Sequence, residues 1–187
     1  MTETNGKRPA AFIDRDGTLI EEVNFLSKVD DLRVYSYTAE ALRLLKERGF
    51  YIVVVTNQSG IGRDIYTEID MHSIHQAMQR ELDGAIDAFY FCPHLPDAGC
   101  ECRKPGLGML RYAERDLDID LQMSWMIGDK RLDVETGKKA GIGSALVLTG
   151  YGSQHVAEID DRPDVIGKDL LDAVRQIVSF ERAEASR

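Results

Sequence analysis

Short apolar runs that end abruptly on polar, chemistry-bearing residues constrain this chain more than any other feature. Residues 10–13 are apolar and stop at Asp14. Residues 51–55 are rich in β-branched side chains and stop at Thr56 and Asn57. Residues 88–91 stop at Cys92, 124–127 at Gly128 and Asp129, and 145–148 at Thr149 and Gly150. A last short strand is expected over 164–166. Between the runs lie helical patterns. Thr38 reads as an N-cap, with Leu42, Leu44 and Leu45 on one face and Gly49 at the stop. Thr67 to Asp70 has the spacing of a capping box and opens a helix to about Leu82. Further helices are expected over 108–117, 131–140 and 168–182, the last fraying in a polar tail. Near-continuously apolar strands joined by helices build a parallel sheet covered on both faces. Such sheets bind ligands outside the carboxyl ends of their strands. Asp14, Thr56 and Asp129 sit at those ends.

The length of 187 residues suits one domain, expected over 1–187, with an irregular loop over 92–102. The formal charge of −9 argues against a nucleic-acid or anionic-membrane binder, because those surfaces need basic patches. It leaves room for a small anionic substrate, since a metal and a few cations can reverse the field inside a cleft. No apolar run is long enough to span a bilayer, and the first ten residues lack the apolar segment of a secretory signal. A cytoplasmic location is therefore expected. No apolar surface stripe stands out, so the expected state is a monomer.

Asp14-Arg15-Asp16-Gly17-Thr18 places two carboxylates two residues apart at a strand end. One carboxylate of such a pair can attack phosphorus and become a mixed anhydride. The other can protonate the leaving oxygen and then activate water. Alone, the pair reads equally as a solvated acidic turn. Three more signals accompany it. Thr56-Asn57-Gln58-Ser59-Gly60 offers a hydroxyl and turn amides. Arg103-Lys104 offers cations. Gly128-Asp129-Lys130-Arg131-Leu132-Asp133 offers a metal-binding carboxylate, a cation and a second carboxylate.

The only three cysteines, Cys92, Cys100 and Cys102, fall in one stretch with His94. The pattern C-x-H-x5-C-x-C suits a closed tetrahedral Zn²⁺ site with no position left for substrate. Metal there would order a loop leading straight into Arg103 and Lys104.

The four motifs resemble those of the haloacid dehalogenase (HAD) superfamily of phosphatases, over about residues 12–150. The resemblance implies a Rossmann-like parallel sheet, no large cap domain, and Mg²⁺ held by Asp14, the Asp16 carbonyl and Asp129. It implies that Asp14 is the nucleophile and Asp16 the general acid/base. Thr56 and Lys104 would bind the transferring phosphoryl group, with Asp133 in support. The Cys-Pro-His…Cys-x-Cys-Arg-Lys-Pro run is similar to a subgroup of bacterial heptose-bisphosphate phosphatases and histidinol-phosphate phosphatases. Residues 54–63 and 126–130 look more like the former. The implied substrate is a small sugar phosphate. A bisphosphate needs a second anion site, for which Arg63, Arg103, Lys130 and Arg131 are candidates, and Asn57 is a further phosphate contact. The competing readings are a histidinol-phosphate phosphatase and a zinc-stabilised binding module without turnover. His72 and His75 are expected at the surface or partly buried, His155 sits in a polar loop and carries no specific signal, and Trp125 is expected in a strand, as core.

Overall fold

The computed structural model describes residues 6–185. Six strands form one sheet: β1 (Ala10–Ile13), β2 (Tyr51–Asn57), β3 (Ala88–Cys92), β4 (Trp125–Gly128), β5 (Gly143–Val147) and β6 (Val165–Gly167). Their order is β3-β2-β1-β4-β5-β6, and every neighbouring pair is parallel. The helices are α1 (Thr38–Glu47), α2 (Ser59–Gly62), α3 (Glu68–Glu81), α4 (Gly108–Leu117), α5 (Arg131–Ala140), α6 (Gly152–His155) and α7 (Leu170–Ala185). Among the described residues, no helix is long and apolar enough to cross a membrane.

Strand periodicity sorts the core into two halves, because successive side chains leave a strand on opposite faces. Ala11, Ile13, Ile52 and Val54 join one cluster with Leu42 and Leu45 of α1, Ile74 and Met78 of α3, and Val174 and Ile177 of α7. Ala10, Phe12, Val53 and Val55 join the other with Met109, Leu110 and Ala113 of α4. On that second face Gly137 lets α5 approach closely, since a Cβ there would lie 3.2 Å from the Cβ of Met126. Each fully buried Leu, Ile or Phe contributes about 1.5–3 kcal/mol.

The expected capping box on α3 is present. Thr67 Oγ1 accepts from the Asp70 amide at 3.2 Å, and Asp70 Oδ2 accepts from the Thr67 amide at 2.8 Å. The expected N-cap at Thr38 is not. Tyr37 holds that position, and the buried Thr38 hydroxyl donates to the Leu19 carbonyl at 2.8 Å. A helix start pressed against the loop after β1 leaves this side chain a buried carbonyl to satisfy instead of its own helix. Helix α7 starts at Leu170 rather than 168, because Asp169 Oδ1 accepts from the Asp172 amide at 2.8 Å and caps it. It continues to Ala185, past the expected 182.

The central strand β1 has β2 on one side and β4 on the other. The chain leaves the ends of β1 and β4 in different directions, which opens a crevice at the carboxyl edge. Asp14 follows β1 directly, and its amide donates to Ile127 O of β4 at 2.9 Å. No cap domain intervenes. Segment 14–37 folds over the edge as a loop, braced by a bridge between Ile20 and Val34.

Candidate active site

Asp14 lies at the floor of a cleft of about 230 Å³ at this crevice. The cleft is lined by the ends of β1, β2 and β4 and by the loop 22–26. Asp14 Oδ1 accepts from the Arg15 amide at 2.8 Å and pairs with Lys104 Nζ at 2.9 Å. Its Oδ2 lies 3.9 Å from Lys130 Nζ and is the freer oxygen. Burial alone would push this carboxyl up, but the ammonium groups of Lys104 and Lys130 outweigh it and hold it below the ordinary aspartate value. Asp14 is thus charged at neutral pH.

Lys104 is itself buried, at 3% exposure. Its Nζ reaches Asp14, Asp133 Oδ1 at 2.7 Å and Val55 O at 2.8 Å. Three acceptors match the three protons of an ammonium group. Lys104 therefore offers the cleft positive charge at a fixed point. Burial would lower its pKa, but Asp133 and Asp14 raise it further. Asn57 fixes the Lys104 backbone from both ends of one amide. Its Oδ1 accepts from the Lys104 amide at 3.0 Å, and its Nδ2 donates to the Lys104 carbonyl at 3.2 Å. Thr56 lines the cleft, and its Oγ1 accepts from Gln58 at 2.8 Å.

Oxygen ligands from Asp14, Asp129 and Asp133 lie within 4.8 Å of one another. Among the described residues, two ammonium groups, Lys104 and Lys130, touch these three carboxylates. Asp129 is fully buried; its Oδ2 accepts from the Tyr151 amide at 2.8 Å, while Oδ1 accepts no hydrogen bond and has only the Lys130 ammonium nearby, at 3.5 Å. Burial, partly offset by Lys130, pushes its carboxyl up to about 7. A buried carboxylate oxygen that accepts no hydrogen bond, in a cluster of three carboxylates, fits a hard divalent cation bound through oxygen.

Gly17 and Gly150 make room for Asp129. At Gly17, with φ of +79°, a Cβ would come 2.3 Å from Asp129 Oδ2; at Gly150 it would come 2.2 Å from the same atom. Gly17→Ala is therefore expected to lose more than about 1 kcal/mol of stability and to raise the divalent cation concentration needed for half-maximal turnover. Thermal unfolding and a cation titration check this. Wild-type values in both would contradict the cradle.

Asp16 is held by a network of Arg15, Gln58, Tyr66 and His75 whose mutual contacts the sequence did not mark. Arg15 Nε donates to Asp16 Oδ2 and Nη2 to Oδ1, both at 3.0 Å. Gln58 Nε2 donates to Asp16 Oδ2 at 2.9 Å, and its Oε1 accepts from Arg15 Nη2 at 3.0 Å and from the Tyr66 hydroxyl. His75 completes the set, with Nε2 3.4 Å from Arg15 Nη1 and its ring stacked on Phe89 at 4.3 Å. His75 is buried, at 4% exposure, more deeply than the surface or partly buried position expected of it. Its place on the inner face of α3, beside Ile74 and Met78, is the reason.

Burial, with Arg15 and His72 adding repulsion, drives the His75 pKa down to about 3 from 6.5. The unfolded chain then binds one more proton than the folded one between those values. Stability is expected to be complete above pH 6.5 and to fall by up to about 1.4 kcal/mol per pH unit below it, owing to this group. His75→Gln should flatten that slope in denaturant melts between pH 4 and 7. An unchanged slope would assign the acid sensitivity elsewhere.

The cysteine cluster closes as the spacing suggested. Cys92 Sγ lies 3.5 Å from Cys100 Sγ and 3.5 Å from His94 Nδ1. Cys102 Sγ lies 3.5 Å from Cys100 Sγ and 3.3 Å from His94 Nδ1. Such sulfur separations exclude a disulfide, whose bond is about 2.05 Å. They approach the edge, about 3.8 Å, of a tetrahedron with Zn–S bonds of about 2.3 Å. The donor set of three thiols and one imidazole fits Zn²⁺. Cys92 ends β3, where its carbonyl accepts from the Gln58 amide at 2.7 Å. The cluster is thereby tied to the end of β2 and, through Cys102, to Arg103 and Lys104.

The proposed anion contacts divide. Lys130 and Arg103 line the cleft. Lys130 pairs with Asp129 at 3.5 Å and with Glu22 at 3.1 Å; burial would lower its pKa, but Asp14, Asp129 and Glu22 raise it. Arg103 also donates to the His94 carbonyl at 3.2 Å. Arg63 and Arg131 do not line the cleft. Arg63 sits 6.0 Å from the ring centroid of Phe25, a cleft residue, and Arg131 pairs along its own helix with Glu135 at 3.2 Å. Glu22, Gln58 and Tyr66 also line the cleft; the sequence marked Gln58 only within the turn after β2 and gave Glu22 and Tyr66 no individual role. His155 accepts from the Arg131 amide at 3.3 Å, and Trp125 stacks on Phe180.

Comparison with known proteins agrees with this geometry. The profile of the HAD-hydrolase-like family matches residues 101–173. A D-glycero-D-manno-heptose-1,7-bisphosphate 7-phosphatase of Thermosynechococcus vestitus is 38% identical, over 91% of this chain and 95% of that protein. A D-glycero-beta-D-manno-heptose-1,7-bisphosphate 7-phosphatase of Yersinia pestis is also 38% identical, over 90% and 95%. The crystal structure of D,D-heptose 1,7-bisphosphate phosphatase from B. bronchiseptica, complexed with magnesium and phosphate, superposes with a TM-score of 0.84. It is 31% identical and is matched over 92% of this chain and 99% of its own. The chain thus belongs to the heptose-1,7-bisphosphate 7-phosphatase family of HAD phosphatases.

Proposed function

We propose that this phosphatase removes the 7-phosphate of D-glycero-D-manno-heptose 1,7-bisphosphate in bacterial nucleotide-heptose synthesis, through an aspartyl-phosphate on Asp14. One observation carries the chemistry. Asp14 is a buried, charged carboxylate at a sheet switch point, with one oxygen anchored and the other facing the cleft. The family relatives support the heptose reading over a histidinol-phosphate phosphatase or a binding module without turnover.

Asp14 Oδ2 attacks phosphorus while the bond from phosphorus to the sugar oxygen breaks. Asp16 gives its proton to that oxygen, which leaves as an alcohol. Water then attacks the phosphorus of the acyl phosphate and gives a proton to Asp16. Phosphate departs and Asp14 is restored. Lys104, Lys130, Thr56 and the turn amides after β2 stabilise the charge on the transferring group. Asp133 holds Lys104 in place and Asn57 holds its backbone. Mg²⁺, held by Asp14, the Asp16 carbonyl and Asp129, would supply positive charge between two anions. Arg103 and Lys130 are the cations available to the second phosphate, with Arg63 outside the lining, 6.0 Å from the ring of the cleft residue Phe25.

Zn²⁺ on Cys92, His94, Cys100 and Cys102 is proposed as structural, because four protein ligands leave no position open. A single catalytic unit over 1–187 is proposed, since one sheet runs from residue 10 to residue 167. A monomer in the cytoplasm is the proposed state, where a reducing milieu keeps thiolate ligands intact.

Phosphate release tests this function directly. The panel holds both anomers of the heptose bisphosphate, fructose 1,6-bisphosphate, histidinol phosphate and an aryl phosphate, with and without Mg²⁺. The expected result is Mg²⁺-dependent release with kcat/KM highest for one heptose anomer. Preference for histidinol phosphate, or release independent of Mg²⁺, would overturn it.

A further inference from the structure

We infer that His75 is a positioning residue for the reaction, acting on Asp16 through the buried guanidinium of Arg15. The inference rests on the proposed role of Asp16 as general acid. Arg15 is 1% exposed and lies between the two reacting aspartates in sequence. Its guanidinium has five N–H donors in a rigid plane. Nε and Nη2 grip the two oxygens of Asp16, and Nη2 also reaches Gln58. The remaining nitrogen, Nη1, faces His75 Nε2 at 3.4 Å. A guanidinium only donates, so Nε2 carries the lone pair and the proton of the neutral ring resides on Nδ1. His75 Nδ1 has no protein partner. Stacking on Phe89, at 17° between planes, fixes the ring where Nε2 meets Arg15.

The chain of contact runs from β3 through α3 to the cleft without a gap: Phe89, His75, Arg15, Asp16. A bidentate arginine sets the plane as well as the position of its carboxylate. Removing the acceptor on Nη1 lets the guanidinium rotate, and Asp16 turns with it. Gln58 and Tyr66 hold the other side of the same plane and cannot replace a contact on Nη1. Displacement of a reacting group by about 1 Å can cost about 10²-fold in rate.

The test separates positioning from general damage by the leaving group. An alkoxide needs a proton from Asp16 as it departs; a nitrophenolate does not. Single-turnover rates of the first chemical step are measured for the sugar bisphosphate and for p-nitrophenyl phosphate, with thermal melts of each variant. His75→Phe keeps the stacking on Phe89 and removes the acceptor. Its rate with the sugar substrate is expected to fall about 10- to 100-fold, with p-nitrophenyl phosphate changing less than about threefold. His75→Gln, which can offer Oε1 to Nη1, is expected to recover most of the loss. Asp16→Ala serves as the reference and should show the same selectivity, more strongly.

Equal losses of both substrates in His75→Phe, or no loss in a folded His75→Phe, would overturn the inference while the Asp16 selectivity stands. No recovery in a folded His75→Gln would also overturn it. An Asp16→Ala variant without leaving-group selectivity would sink the general-acid reading itself.

Discussion

Asp14→Asn is expected to lower kcat/KM for the sugar bisphosphate by at least about 10⁴-fold, because it removes the atom that bonds to phosphorus. The fold should survive. Three buried carboxylates share two ammonium groups in this site, so losing one charge brings the cluster closer to balance. Lys104 keeps Asp133 at 2.7 Å and the Val55 carbonyl at 2.8 Å. The variant should therefore melt within a few degrees of the parent, roughly the shift of about 1 kcal/mol in a chain of this size. Steady-state kinetics beside a thermal melt checks both halves. Residual turnover near the parent's would exclude Asp14 as the nucleophile.

The second large effect concerns the cysteine cluster, whose last member stands two positions before Lys104. Cys100→Ser is expected to lose zinc from the purified protein, to destabilise it by about 3 kcal/mol or more, and to lower kcat. The physical route is short. Cys92 ends β3 beside Asn57 of β2, and Cys102 leads directly to Arg103 and Lys104. With the ligands apart, the segment 93–101 has little regular structure to keep its ends together. Lys104 would lose a fixed approach to Asp14. Metal content by plasma emission, with a melt and kinetics, tests this. A zinc-free variant with parental stability and kcat would reduce the cluster to a bystander.

Much of this site was visible before any coordinates, for a physical reason. In a parallel α/β sheet, the residue after an apolar run is delivered to the carboxyl edge, so Asp14, Thr56 and Asp129 were placed by strand periodicity alone. The four-donor cluster was visible because a closed Zn²⁺ site needs four donors on a short loop, and Cys92, His94, Cys100 and Cys102 offer them locally. Capping at Thr67 and Asp70 is likewise local. What stayed hidden depends on contacts distant in sequence. Gln58 meets Arg15 across 43 positions and His75 meets it across 60. Neither residue type, nor its spacing, announces such a partner. Thr38, Arg63 and Arg131 show the converse. Each had a suitable side chain at a suitable place, but packing turned Thr38 to the Leu19 carbonyl, Arg63 toward Phe25 and Arg131 along its own helix.

The covalent intermediate is the centre of the proposed mechanism, and trapping it is the most direct measurement. The protein is mixed with substrate carrying labelled phosphorus at position 7, quenched in acid within one turnover, digested, and the labelled peptide identified by mass spectrometry. Asp16→Asn, which slows water activation, should raise the trapped fraction. Label on the Asp14 side chain, formed and lost at rates matching turnover, is the expected result. Rapid release of labelled phosphate with no label on Asp14 at any time would mean direct attack by water and would contradict the proposed chemistry.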